Sequence, residues 1–252
     1  MDSRFEGRIA LVTGASRGIG RALALALGAA GAHVIALSRT VGALEELDDE
    51  IRAAGGTAAT LVPVDLKDMP ALDRLGLSIH ERWGRLDILV GNAGMLGPLS
   101  PIGHIDPKVF DNVMAVNVTA NWRLIRSLDP LLRQSEAGRA VFLSSSASQK
   151  SRPYWGLYAT SKAALEMIVR TYAAETAHTA VKANLVNPGA MRTKMRAQAM
   201  PGEDPETLPP PEDVVAPILD LLSPDCGVSG VLYDHPSRAL KAFQPPVPLA
   251  DG

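Results

Sequence analysis

The chain has 252 residues, 46% of them hydrophobic, a formal net charge of −2 and a single cysteine, Cys226. That length and apolar share suit one α/β domain with a sizeable core, and a near-neutral balance without a basic tail or an aromatic-rich basic patch argues against nucleic acid as the main partner. One cysteine excludes an intrachain disulfide and Cys-rich zinc sites; neither a signal-like apolar segment at the N-terminus nor an unbroken apolar run of about 18 residues is present, so neither a secretory leader nor a membrane span is expected.

Ile9-Ala10-Leu11-Val12 reads as a buried strand. It runs into Thr13-Gly14-Ala15-Ser16-Arg17-Gly18-Ile19-Gly20 and then an Ala/Leu-rich helix at 22–30. Glycines in such a turn let backbone approach a ligand, and the helix start offers free N–H groups and positive dipole to a phosphate. The bland alternative is an ordinary tight turn. His33 to Leu37 reads as a second strand, completing a βαβ unit. An NAD site places Asp or Glu at the end of that strand for the ribose 2′-hydroxyl. Here the strand ends in Ser38-Arg39-Thr40. Arg39, with Arg17 in reach, suits a 2′-phosphate, so NADP is expected ahead of NAD.

Residues 43–54 carry Leu44, Leu47 and Ile51 at amphipathic helical spacing. A third strand follows at 58–64 with Asp65-Leu66 after it, then a helix at 70–83. A fourth strand, Leu86 to Val90, leads into Gly91-Asn92-Ala93-Gly94. The alternation predicts a three-layer α/β fold, a doubly wound parallel sheet of about seven strands with helices on both faces. Ligands in such sheets sit beyond the strands' carboxyl ends, where the Gly14 turn, Arg39, Asp65 and Asn92-Ala93-Gly94 all fall.

One long helix is expected from Pro107, capped by Asp106, to Arg133. It contains Asn117 among apolar neighbours: either a structural amide bracing backbone or a helix distortion holding a water. Arg139 to Leu143 is a fifth strand delivering Ser144-Ser145-Ser146 to the same rim, catalytic or merely a polar turn. A helix to about residue 178 then carries Tyr158 and Lys162. Four residues apart, a phenol and an ammonium share one helix face, and a cation beside a phenol lowers its pKa from about 10. A sixth strand at 181–186 leads to Asn187-Pro188-Gly189. Residues 194–211 read as a mobile substrate loop, followed by a helix to about Leu222 and a last strand at 231–233. The domain is drawn at 1–240, with a Pro-rich, extended tail at 241–252.

These residues resemble the short-chain dehydrogenase/reductase family over nearly the whole chain. Thr13, Gly14, Gly18, Ile19 and Gly20 match its glycine-rich pattern, and Asn92-Ala93-Gly94 its Asn-Ala-Gly motif. Asn117, Ser145, Tyr158 and Lys162 match its catalytic tetrad, Ser145 being picked out by standing 13 residues before Tyr158. Pro188-Gly189 with Thr193 matches the nicotinamide-side segment. The stretch from Asn187 through Arg192 to Arg196 resembles a bacterial branch with poorly defined substrates. The end of the last strand, Tyr233-Asp234-His235-Pro236, departs from the usual Asp-Gly-Gly.

The resemblance implies a cytoplasmic, NADP(H)-dependent enzyme acting on a small carbonyl or alcohol substrate, without metal, nucleic acid or membrane partner. Cofactor contacts would come from Gly14, Ser16, Arg17, Gly18, Ile19, Gly20, Ser38, Arg39, Asp65, Leu66, Asn92, Ala93, Gly94, Tyr158, Lys162, Pro188, Gly189 and Thr193. Asp65 would bond the adenine. Tyr158 would move the proton and Ser145 would bond the substrate oxygen. Lys162 would lower the Tyr158 pKa and hold the ribose hydroxyls, and Asn117 would anchor a water. Residues 145–155 and the 194–211 loop would frame the pocket, with Met95, Leu96 and Met191 lining it; Arg192 would face an acidic substrate, the cofactor or solvent. The helices at 107–133 and 157–178 would form a homodimer or homotetramer, although the altered C-terminal region departs from the usual tetramer contact. An NADP-binding sensor or scaffold with little turnover is the alternative.

Overall fold

Strand β1, Ile9–Thr13, is buried along its whole length, as a strand covered on both faces must be. The computed structural model describes residues 4–243. After β1 come α1 (Gly18–Ala29), β2 (His33–Ser38), α2 (Val41–Ala53), β3 (Thr60–Pro63), α3 (Met69–Trp83) and β4 (Ile88–Gly91). The second half holds α4 (Pro107–Met114), α5 (Ala120–Leu132), β5 (Arg139–Leu143), α6 (Gly156–Glu175), β6 (Lys182–Asn187), α7 (Lys194–Ala199), α8 (Val215–Leu222), β7 (Leu232–Asp234) and β8 (Ala239–Lys241).

The sheet order is β3-β2-β1-β4-β5-β6-β7-β8. The first seven strands are parallel, and β8 pairs antiparallel with β7. Chain order reverses between β1 and β4, which opens a crevice at their carboxyl ends. Alternate residues face opposite sides of the sheet. Leu11, Leu37, Leu89, Phe142 and Leu185 pack under α3, α5 and α6. Val12, Ala36, Val90, Val141 and Val186 pack under α1, α2 and α8.

Local chemistry sets several helix boundaries. The Asp68 carboxylate accepts from Ala71 N at 3.0 Å at the start of α3, and Gly84 closes that helix at φ +72°. Asp106 accepts from Lys108 N and Val109 N ahead of Pro107.

Three expectations need adjustment. The helix at 107–133 runs unbroken but changes pitch: a π-helical turn at Ala115–Thr119 joins α4 to α5, with Ala120 N donating to Ala115 O. Helix α6 ends at Glu175 rather than near 178, where the Thr176 hydroxyl donates to Tyr172 O. The eighth strand was not expected, and the proposed boundary at residue 240 falls inside it. Of the Pro-rich tail expected to be extended, residues 244–252 lie outside the described residues. No helix among the described residues is long and apolar enough to cross a membrane.

Candidate active site

The crevice is tied together by Thr13 at the end of β1. Its hydroxyl donates to Val90 O at 3.2 Å and accepts from Asn92 N at 3.0 Å and Ala93 N at 3.1 Å. The Asn92 side chain returns the bond, donating to Thr13 O at 2.8 Å and Gly14 O at 3.4 Å. Two glycines make this crossing possible. Gly14 has φ +67° and a side chain there would meet Asn92 at 2.8 Å; one at Gly20 would meet Gly14 O at 2.5 Å. The start of α1 has no side-chain cap and no acid in its first turn, which leaves backbone N–H groups for an anion. The methyl of Thr193 would touch a side chain built at Gly18, at 3.5 Å. The root of the 194–211 loop therefore stands over the glycine-rich turn. Gly189, at φ +75°, is held by Asn187 Oδ1, which accepts its N–H at 3.1 Å.

At the end of β2, Ser38 is buried and accepts from Thr40 N at 3.2 Å, while Arg39 and Arg17 are exposed. Arg39 lies 3.7 Å from the carboxylate of Asp65. The absence of an acid at β2 itself thus does not leave Arg39 unopposed, because Asp65 reaches it from beyond β3. The other Asp65 oxygen accepts from Lys67 N at 2.9 Å, so in this structure Asp65 shapes its own turn and faces Arg39. Leu66 is buried in the core.

Asn117 is fully buried. Its Oδ1 accepts from Met95 N at 2.7 Å, and its Nδ2 donates to Met95 O at 2.8 Å and Ser161 Oγ at 2.9 Å. Its own carbonyl accepts from Asn121 Nδ2 at 2.8 Å. The two sequence readings therefore coexist: the amide braces the Asn92–Met95 segment, and the helix is distorted around it. Three hydrogen bonds inside the protein make the side chain a brace, and Oδ1 keeps one further acceptor position.

The three serines separate sharply. Ser144 is buried and donates to Glu166 Oε1 at 2.6 Å. Ser146 is exposed, and its N–H donates to Asn187 Oδ1 at 3.1 Å. Ser145 alone is half-buried and acts on the Tyr158 hydroxyl, while its own Oγ accepts from Ala147 N at 3.2 Å. Tyr158 is 7% exposed, packed edge-on to Trp155 at 6.2 Å and against Leu96, Ala147 and Ala199. Lys162, 3% exposed, donates from Nζ to Leu143 O at 2.7 Å and lies 5.8 Å from the Tyr158 ring centre.

The electrostatics correct one expectation. Burial pushes the Tyr158 phenol up to about 12, Ser145 opposing it. Burial also brings the Lys162 ammonium down to about 8, the negative Glu166 opposing it. Burial outweighs Ser145 here, so the phenol stands above its ordinary value rather than below it.

Other candidates move. Met191 is packed in the core under α8 rather than lining the pocket, and Met95 is exposed. Arg192, itself exposed, pairs with Glu206 at 3.1 Å and donates to Leu208 O at 3.3 Å; it staples the loop to itself and is not a free anion contact. A cleft of about 270 Å³ lies within residues 192–208, and Tyr158 is not part of its lining. Ser151, Arg152 and Pro153, within the 145–155 frame, are exposed.

Sequence reasoning missed Glu166 and the Asn187–Asp234 link, and reached Trp155 only as the end of the 145–155 frame. Glu166 had a signal, since it continues the Tyr158, Lys162 spacing by one more helical turn. Asn187 Nδ2 donates to Asp234 at 2.6 Å, and Ser237 and Lys241 donate to the same carboxylate at 2.5 Å each. Burial alone would raise the Asp234 pKa, but the bonds from Lys241, Ser237 and Asn187 hold it at about 2. A depressed folded-state pKa means that this contribution is present above about 3.8 and is lost as pH falls toward 2. We expect it to amount to about 2 kcal/mol at neutral pH. Urea unfolding of wild type and Asp234→Asn should therefore differ at pH 7 and converge near pH 2; a pH-independent difference would contradict this.

Among the described residues no group of three or more His, Cys, Asp or Glu side chains could hold a metal. A family model described as short chain dehydrogenase matches residues 8–204. "Uncharacterized oxidoreductase YciK" from Escherichia coli K12 is 40% identical over 235 residues, covering 92% of this chain and 93% of that protein. "Uncharacterized NAD-dependent oxidoreductase Rv0687" from Mycobacterium tuberculosis is 35% identical over 203 residues, covering 75% of this chain and 74% of that one. A Shigella flexneri short chain dehydrogenase structure, complexed with NADP, superposes with a TM-score of 0.89 at 36% identity, covering 94% of this chain and 100% of that one. With the glycine-rich crevice, the doubly wound sheet and the Ser145, Tyr158, Lys162 cluster all in place, this chain belongs to the short-chain dehydrogenase family of oxidoreductases.

Proposed function

We propose that the protein interconverts a carbonyl compound and its alcohol using NADP(H), with Tyr158 as the acid/base. The observation that carries this reading is the buried Tyr158 with Ser145 at its hydroxyl and Lys162 beside its ring, together with a glycine crossing too tight for any side chain. When bound, the nicotinamide cofactor supplies the hydride. The residues present fit it. The uncapped start of α1 would take the pyrophosphate, Arg39 and Arg17 the 2′-phosphate, and Asn92-Ala93-Gly94 the ribose side.

The chain's own groups then handle the proton. Ser145 Oγ would hydrogen-bond the carbonyl oxygen and orient it toward the Tyr158 hydroxyl. Tyr158, protonated through burial, would donate to that oxygen during reduction and accept from the alcohol in reverse. Lys162 would stabilise the tyrosinate as it forms and hold the ribose hydroxyls. Trp155, Leu96 and Ala199 around the phenol exclude water and favour a substrate with apolar substituents. Phe110 and Trp122 on α4 and α5, and Met167 on α6, are exposed apolar side chains that support association of like subunits through these helices.

Arg39→Asp tests the cofactor preference. Wild type should oxidise NADPH faster than NADH with an activated aromatic aldehyde as substrate. The variant should bind NADPH about tenfold or more weakly and gain on NADH. An unchanged NADPH to NADH ratio of kcat/KM would remove Arg39 from the argument.

A further inference from the structure

Glu166 is the one buried carboxylate in this site that the proton chemistry above leaves without a task. It is 5% exposed, on the same face of α6 as Tyr158 and Lys162 and one turn beyond the lysine. Its Oε1 accepts from Ser144 Oγ and Ser148 Oγ, both at 2.6 Å. Those serines bracket Ser145 in the chain. The Ser148 proton is shared with the Ser145 carbonyl at 2.7 Å, so the short helical turn at Ser146–Gln149 is clamped to α6 through one carboxylate oxygen. We infer that Glu166 is a positioning residue, which clamps the Ser145 turn to α6 through Ser144 and Ser148 and sets its negative charge one helical turn from Lys162 on the same buried face. This rests on the reading of Ser145 and Lys162 as site residues.

Few other charges are available to Lys162. Glu166 is the charged group that raises the Lys162 pKa against burial. On α6 itself the titratable neighbour toward the site is Tyr158. The turn Ser146–Gln149 and the π-helical turn Ala115–Thr119 carry no titratable residue, β6 carries Lys182 at its opposite end, and α4 carries Lys108 and Asp111, both exposed. Beyond β6, Asp234 is neutralised locally by Lys241 at 2.5 Å. A buried ammonium with one carbonyl acceptor and no counter-charge would shed its proton at a lower pH still.

The charge and the clamp can be separated. Glu166→Gln keeps an Oε1 that can accept from both serines but removes the charge; Glu166→Met removes both and leaves Ser144, Ser148 and Lys162 without that partner. The measurement is a pH titration of lysine ε-carbons by NMR in the cofactor-free protein, with Lys162 assigned from its missing signal in Lys162→Met. Wild-type Lys162 should titrate near its value of about 8. Either Glu166 variant should lower that midpoint by about one unit or more. Hydrogen exchange at the Ser148 amide, which donates to Ser145 O at 3.1 Å, should stay near wild type in Glu166→Gln and quicken at least tenfold in Glu166→Met. An unmoved Lys162 midpoint in whichever variant folds overturns the electrostatic half, and unchanged exchange in Glu166→Met overturns the clamp. Neither readout needs a substrate, so a wild-type enzyme that fails to reduce carbonyls would defeat the proposed function without deciding this inference.

Discussion

Tyr158→Phe is expected to cut carbonyl-dependent NADPH oxidation by about 100-fold or more, the usual range for removing a positioned proton donor, while leaving NADPH affinity within about threefold of wild type. The structure shows why the two effects should separate. Only the hydroxyl is lost, while the ring keeps its packing against Trp155, Leu96 and Ala147. The glycine-rich turn, the start of α1 and Arg39 do not touch that hydroxyl. Because burial holds the phenol protonated, the wild type should work as a proton donor across neutral pH. Steady-state kinetics beside a fluorescence titration of NADPH would check both halves. Turnover near wild type would remove Tyr158 from the mechanism, whereas a parallel collapse of binding would mean that it serves the cofactor instead.

The second large effect is expected at Gly20→Ala. One methyl group there would stand 2.5 Å from Gly14 O and press into the Asn92 amide. Neither is the free end of a flexible side chain. Asn92 is bound to Thr13 O and Gly14 O, and Thr13 bonds back to the Asn92 and Ala93 N–H groups. The substitution must therefore shift backbone that joins β1 to β4, at a cost of about 1–3 kcal/mol. NADPH affinity should fall at least tenfold, and thermal melting should shift downward even without cofactor. Wild-type affinity in a folded Gly20→Ala protein would show that the crossing of Gly14, Gly20 and Asn92 is not the phosphate cradle.

Much of this architecture was legible from the residues. Strands β1, β2, β4, β5 and β6 are apolar runs at the lengths that doubly covered strands require, and their alternation with helices predicts the parallel sheet. Strand β8 was hidden because three residues, Ala239-Leu240-Lys241, carry no pattern of their own. It forms because a short turn at His235–Ser237, with Arg238 at φ +50°, folds the chain back on β7. The π-helical turn was foreseen only as an alternative, since it depends on the Asn117 amide reaching Met95, 22 residues away in sequence.

In the site, helical spacing alone puts Tyr158 and Lys162 on one face, but the sign of the phenol's shift depends on burial, which no local spacing reveals. Choosing among Ser144, Ser145 and Ser146 rested on a family spacing, and the structure supplies its own reason: Ser144 is turned into Glu166 and Ser146 into solvent. Glu166 escaped notice because an acid on a helix is ordinarily solvated. Arg192 is exposed, as its solvent reading expects, and its partner Glu206 lies across a loop 14 residues later. Asp65 likewise faces Arg39 only once β2 and β3 are paired.

The central claim is that these residues direct hydride to a carbonyl carbon, and an isotope measurement tests it most directly. Wild-type protein would be incubated with 4-nitrobenzaldehyde and other activated carbonyl compounds, with NADPH carrying deuterium at the transferring position of nicotinamide C4. The alcohol product should contain one deuterium on the former carbonyl carbon, and Tyr158→Phe should form almost none. Tight NADPH binding with no deuterated alcohol from any compound in the panel would contradict the account and identify an NADP-binding protein that does not reduce carbonyls.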